Sequence, residues 1–376
     1  MRALLVTTDF PPAVGGIQAV LYNTVRHFTR TGVVVVAPDH PDAQAFDENQ
    51  SFPIYRVGPA QARSCAQRVY RLGRMTVESL RVLRREGADV VLCGHPFTAP
   101  IGLAAKRLLK KPYVVWTYAS ELVGRQRFLR RFLQPADAVL VISAHTRRLV
   151  TQLGVPIESL LLIPCAPDCG VYAGVCHPPS AVRSPLLLTV ARMDDLHKGH
   201  DIMLRAMPLI AARVPNVRWV VVGDGPLRSY YEKMAGALGV QDVVHFVGTL
   251  PRTERDRLLA SCDVFVMVSR DRKIDGGGEG FGIVYLEANA FGKPVVAGRV
   301  AGALDAVVDD VTGLLVDPEN ELEVAEAVVS LLINPELAVR LGRQGQARVR
   351  DSFTWEKTAT AVEEVLLRTL IQSRAC

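Results

Sequence analysis

The chain of 376 residues is longer than one hydrophobic core usually supports, so its length predicts two domains, or three. With 49% apolar and 22% charged residues it is not a disordered chain, and no apolar run is long enough to span a membrane. The net charge of +6 suits an anionic substrate or an anionic membrane surface, whereas no helix has the dense basic face with exposed aromatics that nucleic-acid binding requires.

The first residues and the cysteines indicate the cellular compartment of the protein. Met1 to Asp9 has only a short apolar run before a charge, too short for a signal peptide, so we interpret it as a first strand. The seven cysteines are scattered, and Cys165, Cys169 and Cys176 fit no zinc-binding spacing. We therefore expect reduced thiols in a cytoplasmic protein that is at most peripheral to a membrane.

Apolar strands alternate with amphipathic helices along the whole chain, which predicts α/β domains with doubly wound parallel sheets. We expect one such domain over residues 1–170 and another over 184–354, joined by a proline-rich linker within residues 160–184. The predicted strands are 3–8, 33–37, 54–57, 90–93, 114–117, 138–143, 186–191, 219–222, 264–268, 294–297 and 313–316, and the longest predicted helices are 17–29, 67–85, 99–110, 201–213 and 355–373.

Two features of the first domain are candidates for ligand binding. Gly15 and Gly16 follow the first strand and precede a helix, where backbone amides can face a phosphate or a sugar. The segment from Arg125 to Arg131 is basic and amphipathic. It is interpreted either as a solvated helix face or as a surface for a phosphorylated acceptor or acidic lipid headgroups.

In the second domain, Arg192 and Lys198 lie on the loop that leaves its first strand. A guanidinium and an ammonium six residues apart can hold a diphosphate from two sides. The next strand ends in Gly223-Asp-Gly-Pro, and Arg228 occupies the position where a dinucleotide fingerprint requires a third glycine, which argues against hydride transfer. Leu250 follows a further strand.

A glycine-rich segment, residues 276–282, precedes a short predicted helix over 283–291. Glycines let backbone amides approach an anion, and the helix N-terminus adds a partial positive charge. Glu279 and Glu287, eight residues apart, lie on roughly one face. This layout suits an elongated ligand with hydroxyls near each end and phosphates between them, such as a nucleotide sugar.

These residues resemble the retaining glycosyltransferases of family 4. Glu279-Gly-Phe-Gly through Glu287 matches the family signature, two glutamates separated by seven residues, without a gap. Phe-Pro-Pro followed by Gly-Gly-Ile-Gln resembles the family's N-terminal loop, and Arg192 and Lys198-Gly199 match its donor-binding cations. The likeness extends to bacterial phosphatidylinositol mannosyltransferases and to sucrose-phosphate synthases.

The resemblance implies a GT-B fold, two Rossmann-like domains facing a cleft, with the last helix (355–376) packed back on the first domain. It further implies transfer of a hexose from a UDP- or GDP-linked donor with retention of configuration. Arg192, Lys198 and Glu279 would be catalytic. The donor would also meet a set of backbone and side-chain positions: Gly15, Gly16, Gly223, Leu250, Phe281, Gly282, Ile283 and Glu287.

The acceptor side departs from the family pattern. Relatives carry His-Gly-x-Glu where this chain has Tyr118-Ala-Ser-Glu121, so the imidazole is missing there. Tyr118, Glu121 and Arg125 are the candidate acceptor residues, and the acceptor is expected to be phosphorylated: a sugar phosphate, such as fructose 6-phosphate, or a phosphoinositol lipid. No Asp-x-Asp pair follows a comparable strand, so no cofactor or metal is expected. Two alternatives remain open, a GT-B nucleotide-sugar epimerase and a non-catalytic sugar-binding module.

Overall fold

The computed structural model describes residues 1–58, 64–124, 126–168, 184–271 and 278–375. The chain divides into two compact units, Met1–Cys165 together with Trp355–Cys376, and Ala166–Thr354. The predicted linker lies mostly in residues 169–183, outside the described residues. The doubly wound parallel sheets predicted for both halves of the chain are confirmed.

The described strands of the first unit form a seven-stranded parallel sheet in the order β3-β2-β1-β4-β5-β6-β7. Its centre is apolar, and residues 3–6 of β1 are fully buried, as strands covered on both faces must be. The elements are β1 (Arg2–Val6), α1 (Gly16–Arg26), β2 (Gly32–Ala37), α2 (Ala43–Asp47), β3 (Ile54–Arg56), α3 (Cys65–Arg85), β4 (Val90–Cys93), α4 (Ala99–Leu109), β5 (Tyr113–Thr117), α5 (Gln126–Leu133), β6 (Ala138–Val141), α6 (Ala144–Gln152) and β7 (Leu160–Leu162).

The described strands of the second unit form a six-stranded sheet in the order β10-β9-β8-β11-β12-β13. The elements are β8 (Leu186–Val190), α7 (His200–Arg213), β9 (Arg218–Val222), α8 (Arg228–Ala237), β10 (Val244–Gly248), α9 (Arg252–Ser261), β11 (Val264–Met267), α10 (Ile283–Ala290), β12 (Val295–Gly298), α11 (Ala303–Ala306), β13 (Gly313–Val316), α12 (Glu321–Ile333) and α13 (Pro335–Ser352).

The last helix, α14 (Trp355–Ala375), belongs to the first unit and packs beside α1. Its buried Glu363 accepts hydrogen bonds from the backbone amides of Thr29 and Arg30, the second at 2.7 Å. The carboxylate thus satisfies amide groups in the turn that follows α1.

Each sheet has one place where the chain reverses its direction of growth. In the first unit it lies between β1 and β4, and in the second between β8 and β11. Loops that leave the carboxyl ends of two such strands diverge and leave a crevice, which is where open α/β sheets bind ligands. In the second unit these two loops carry Lys198 and Glu279.

Some elements differ from the sequence prediction. Strand β7 falls within the stretch interpreted as linker, and α2 and α9 were not predicted. Cys93, Cys165 and Cys262 are buried and form no disulfide with one another, whereas Cys169 and Cys176 lie outside the described residues. Within the described parts of the chain, no helix combines the length and the apolarity needed to cross a bilayer.

Candidate active site

The loop after β8 is held against the end of β11 by close backbone contacts. Gly199 has a left-handed backbone (φ +74°), and a Cβ there would lie 2.2 Å from the carbonyl oxygen of Val268. The amide of Arg270 donates to the carbonyl of His197 at 2.8 Å. Because these contacts need a residue without a side chain at position 199, they fix the neighbouring Lys198 beside the β11 loop.

Replacing Gly199 with Ala should therefore disturb fold and site together. The left-handed backbone costs an alanine about 1–2 kcal/mol, and the overlap with Val268 adds about 1–3 kcal/mol. We expect urea denaturation to show a loss of about 2–5 kcal/mol in the free energy of unfolding. The matched control is Gly236→Ala in α8, where a Cβ would meet nothing within 4 Å and stability should rise slightly. Equal stability of the two variants would contradict the role given to Gly199.

Lys198 and Glu279 form an ion pair beside the N-terminus of α10. The Lys198 ammonium donates to Glu279 Oε2 at 2.7 Å, and the Ser269 hydroxyl donates to the same oxygen at 3.2 Å. The carbonyl of Glu279 accepts from the Gly302 amide at 2.8 Å. Glu279 is 7% exposed. Burial alone would raise its pKa, but the charge and hydrogen bond of Lys198 outweigh burial and lower it, so the group is a carboxylate at neutral pH.

The N-terminus of α10 presents backbone amides without a side-chain cap. Gly282 is the N-cap residue in a left-handed conformation (φ +85°). A Cβ at this position would overlap the ring of Tyr285. Among the described residues, no group accepts a hydrogen bond from the amides of Phe281, Gly282 or Ile283. Free amides and a helix dipole at this point can bind an anion.

Glu287 has a different environment from Glu279. It is 4% exposed, its Oε1 lies 3.5 Å from the Arg255 guanidinium, and its Oε2 has no hydrogen-bond partner among the described residues. Burial raises the pKa of Glu287 to about 7, partly opposed by Arg255 and reinforced by Asp168 and Asp256. Two carboxylates with pKa values shifted in opposite directions are suited to two different tasks.

Three further residues predicted to bind the donor, Arg192, Gly223 and Leu250, lie on loops of the second unit. Arg192 is 81% exposed and pairs with Asp194 at 2.7 Å; no contact between described residues joins it to Glu279. Gly223 (φ +136°) has no room for a Cβ, which would meet the carbonyl oxygen of Ala191 at 2.0 Å. Leu250 follows β10 and is half-buried. The roles predicted for these residues stay predictions.

The candidate residues of the first unit lie at the carboxyl edge of its sheet. Gly15 is the N-cap of α1, and Gly16 is its first residue. Tyr118 is 6% exposed and its hydroxyl donates to the carbonyl of Gly94 at 3.4 Å. Glu121 accepts from the Tyr118 amide at 2.6 Å, and burial raises the pKa of its carboxyl group. Arg125 and glycines 276–277 lie outside the described residues.

Three residues near these sites were missed from the sequence. Ser269 binds Glu279, and Arg255 faces Glu287. His95 follows β4 at the edge of the first sheet and is 7% exposed. Ser269 and His95 could have been predicted from the sequence, because each is a polar residue two positions beyond a buried strand, at the end of the strand where ligands bind.

No three His, Cys, Asp or Glu side chains of the described residues are grouped as metal ligands. That the reaction needs no metal stays a prediction, and measuring the activity with and without a chelator tests it.

Comparison with known proteins agrees with this architecture. Residues 14–170 match the family described as Glycosyltransferase Family 4, and residues 178–348 match Glycosyl transferases group 1. A GDP-mannose-dependent alpha-(1-6)-phosphatidylinositol monomannoside mannosyltransferase of Mycolicibacterium smegmatis is 33% identical over 96% of this chain and 97% of its own. The enzyme of the same name from Mycobacterium tuberculosis is 32% identical over 97% and 98%.

Solved structures give the same fold. HepE of Anabaena in complex with UDP has a TM-score of 0.79 and 19% identity, covering 98% of this chain and all of the other. Sucrose-phosphate synthase of Thermosynechococcus elongatus has a TM-score of 0.77 and 22% identity, covering 99% and 100%. The predicted GT-B fold is confirmed. The chain belongs to glycosyltransferase family 4, and the predicted enzyme class, a hexosyltransferase, is confirmed.

Proposed function

We propose that the protein transfers mannose from GDP-mannose to a hydroxyl of a phosphoinositol-linked acceptor, with retention of configuration. The observation that carries the donor half is the Lys198–Glu279 pair beside the uncapped N-terminus of α10. The choice of mannose and of a phosphoinositol acceptor rests on the mycobacterial relatives, whose names state that donor and acceptor class.

The leaving diphosphate gains negative charge as the sugar–oxygen bond breaks. Lys198, the amides of Phe281 to Ile283, and Arg192 once it is released from Asp194 are the groups that stabilise this charge. Glu279 accepts hydrogen bonds from hydroxyls of the transferred sugar, and Glu287 accepts them from the ribose. Glu287 is suited to this because its Oε2 has no partner among the described residues.

We propose that configuration is retained by attack on the face from which the diphosphate leaves, without a nucleophile from the protein. Glu279 is committed to Lys198 and Ser269, and its lowered pKa makes it a weak nucleophile. The bond between the anomeric carbon and the phosphate oxygen breaks while a bond to the acceptor oxygen forms on the same face. The acceptor's proton passes to the leaving phosphate oxygen. Proton NMR of the first product formed should show an α-mannoside, and a β-mannoside would contradict retention.

The activity is tested by incubating the protein with GDP-mannose or UDP-glucose and a panel of acceptors, with and without a chelator. The panel contains phosphatidylinositol, phosphatidylinositol monomannoside and fructose 6-phosphate. Mannosylated lipid, identified by mass spectrometry, supports the proposal. Sucrose phosphate from UDP-glucose supports the sucrose-phosphate-synthase-like alternative instead, and donor epimerised without any acceptor supports the epimerase.

A basic surface of the first unit suits a lipid-linked acceptor. Helices α3 and α5 both pack beside α4. Helix α5 exposes three arginines, together with Phe128, whose exposure is 43%, and α3 exposes Val69 and Tyr70 among its arginines. Basic and apolar side chains exposed on the same helices are typical of helices that bind an anionic membrane surface.

We expect the protein to sediment with vesicles that contain phosphatidylinositol. Replacing Arg127, Arg130 and Arg131 with Ala should weaken binding about 100-fold, since each cation near an anionic surface contributes about 1 kcal/mol. The control replaces three exposed cations of the second unit, Arg218, Lys233 and Arg257. An equal loss of vesicle binding in both triple variants would show that binding depends on the overall charge and not on α5. If the wild type does not sediment with the vesicles, a soluble phosphorylated acceptor is favoured.

A further inference from the structure

We propose that His95 binds the acceptor, donating a hydrogen bond from Nε2 to the acceptor hydroxyl that receives the sugar or to its neighbour. The inference rests on the proposed function and assigns a specific residue to its acceptor side. It is carried by the position of His95, by the hydrogen bond that fixes its ring proton, and by the polar side chains around it.

His95 lies where the first sheet is expected to bind a ligand. It follows β4, which lies between β1 and β5, so it stands beside the point where the chain reverses its direction of growth. It is the N-cap of a short turn, Pro96–Thr98, and its ring packs on Phe97 with centroids 4.9 Å apart. A side chain held from two sides in this way is a preorganised binding group.

The ring proton of His95 is assigned by its local hydrogen bond. The backbone amide of Phe97 donates to Nδ1 at 3.2 Å, so Nδ1 is the unprotonated nitrogen and Nε2 carries the proton. Among the described residues, no group accepts a hydrogen bond from Nε2. The imidazole therefore has one donor available to a ligand, in a fixed direction.

Further polar groups lie near His95 at the same edge of the sheet. The Glu121 carboxyl group interacts electrostatically with it, and the Tyr118 hydroxyl donates to the carbonyl of the adjacent Gly94. Asp9, on the β1 loop, is close enough to Tyr118 to add to the effect of burial in raising the pKa of that hydroxyl. One donor with hydroxyl and carboxylate groups nearby is the chemistry that recognises a ring bearing several hydroxyls, such as an inositol or a hexose.

The structural alternative is that His95 only caps the Phe97 amide, and two substitutions separate the roles. In His95→Asn the side-chain oxygen can replace Nδ1 and keep the cap, but no donor reaches the position of Nε2. In His95→Gln the amide nitrogen reaches toward the position of Nε2, while the cap is weakened. His95→Ala removes both functions.

The experiment measures initial rates with GDP-mannose and phosphatidylinositol monomannoside in mixed micelles. GDP binding is measured by thermal shift, and stability by chemical denaturation. For His95→Asn we expect wild-type stability and GDP binding, with kcat/KM for the acceptor about 10-fold lower, the effect of one lost hydrogen bond. His95→Gln should exceed His95→Asn in kcat/KM for the acceptor, and the KM for GDP-mannose should not change.

A wild-type rate for His95→Asn, or a rate for His95→Gln below that of His95→Asn, overturns the inference and leaves only the capping role. The proposed function stands in that case, because the wild type still transfers mannose. If the wild type transfers no mannose to this acceptor, the proposed function fails and the inference fails with it.

Discussion

Replacing Lys198 with Ala is expected to lower kcat/KM for sugar transfer by about 100-fold or more. The ammonium lies 2.7 Å from Glu279 and beside free amides of α10, where the leaving phosphate would be bound. One preorganised group that stabilises developing charge typically contributes this much. The measurement is the initial rate of GDP release in the presence of acceptor. Lys233→Ala, an exposed cation on α8, is the matched control and should have no effect.

The same substitution also affects stability, and a second variant separates the two effects. Without Lys198, the buried carboxylate of Glu279 keeps only the Ser269 hydroxyl, which costs up to about 3 kcal/mol in the free energy of unfolding. The double variant Lys198→Met with Glu279→Gln has no uncompensated charge, so it should recover stability but not activity. If stability and activity return together, Lys198 has a structural role and the phosphate-binding role is wrong.

Replacing Glu287 with Gln is expected to weaken nucleotide binding about 100-fold. A carboxylate that accepts hydrogen bonds from ribose hydroxyls contributes up to about 3 kcal/mol, and a buried amide in its place accepts more weakly. Isothermal titration with GDP at pH 8 measures the effect. Glu254→Gln, an exposed position on α9, is the control. Unchanged GDP affinity in Glu287→Gln would remove Glu287 from the donor site.

The pH dependence of stability gives an independent check on Glu287. Its pKa is raised to about 7 in the folded protein from an ordinary value of 4.5, so between these values the folded state binds the proton more often than the unfolded state does. The contribution to stability is therefore present at low pH and is lost as pH rises from about 4.5 to 7. At 1.36 kcal/mol per pKa unit, the loss is about 3 kcal/mol.

Glu287→Gln removes this titration. Relative to the wild type, the variant should become more stable as pH rises, with most of the change complete by pH 8, although it binds GDP less well. Urea denaturation at pH 5 and pH 8 measures the difference. A constant difference between the two proteins at both pH values would show that Glu287 is ionised throughout.

Local patterns in the sequence were sufficient to predict most of the helices and strands of the fold. Long apolar strands and amphipathic helices were predicted close to their observed bounds, because period and burial coincide in them. Strand β7 has only three residues between Pro156 and Pro164, too few to show a period. Helix α9 buries only Asp256 and Leu259, so it has no apolar stripe to detect.

The candidate site was predictable in part. The sequence shows that Lys198 and Glu279 each follow a buried strand, but not that those two strands are neighbours, since this depends on pairing across the sheet. Arg192 pairs with Asp194, two residues away, and its predicted role beside Lys198 on a diphosphate stays a prediction. His95 was missed because Gly-His-Pro has the composition of an ordinary turn.

The position of α14 has a consequence for biosynthesis and for engineering. A ribosome releases the second unit in full before residues 355–376 emerge, so the amides that follow α1 have no Glu363 acceptor until α14 has been made. The second unit can therefore fold before the first unit is complete. A chimera that exchanges halves between related enzymes must carry residues 355–376 along with residues 1–165, or the amides of Thr29 and Arg30 lose their native acceptor.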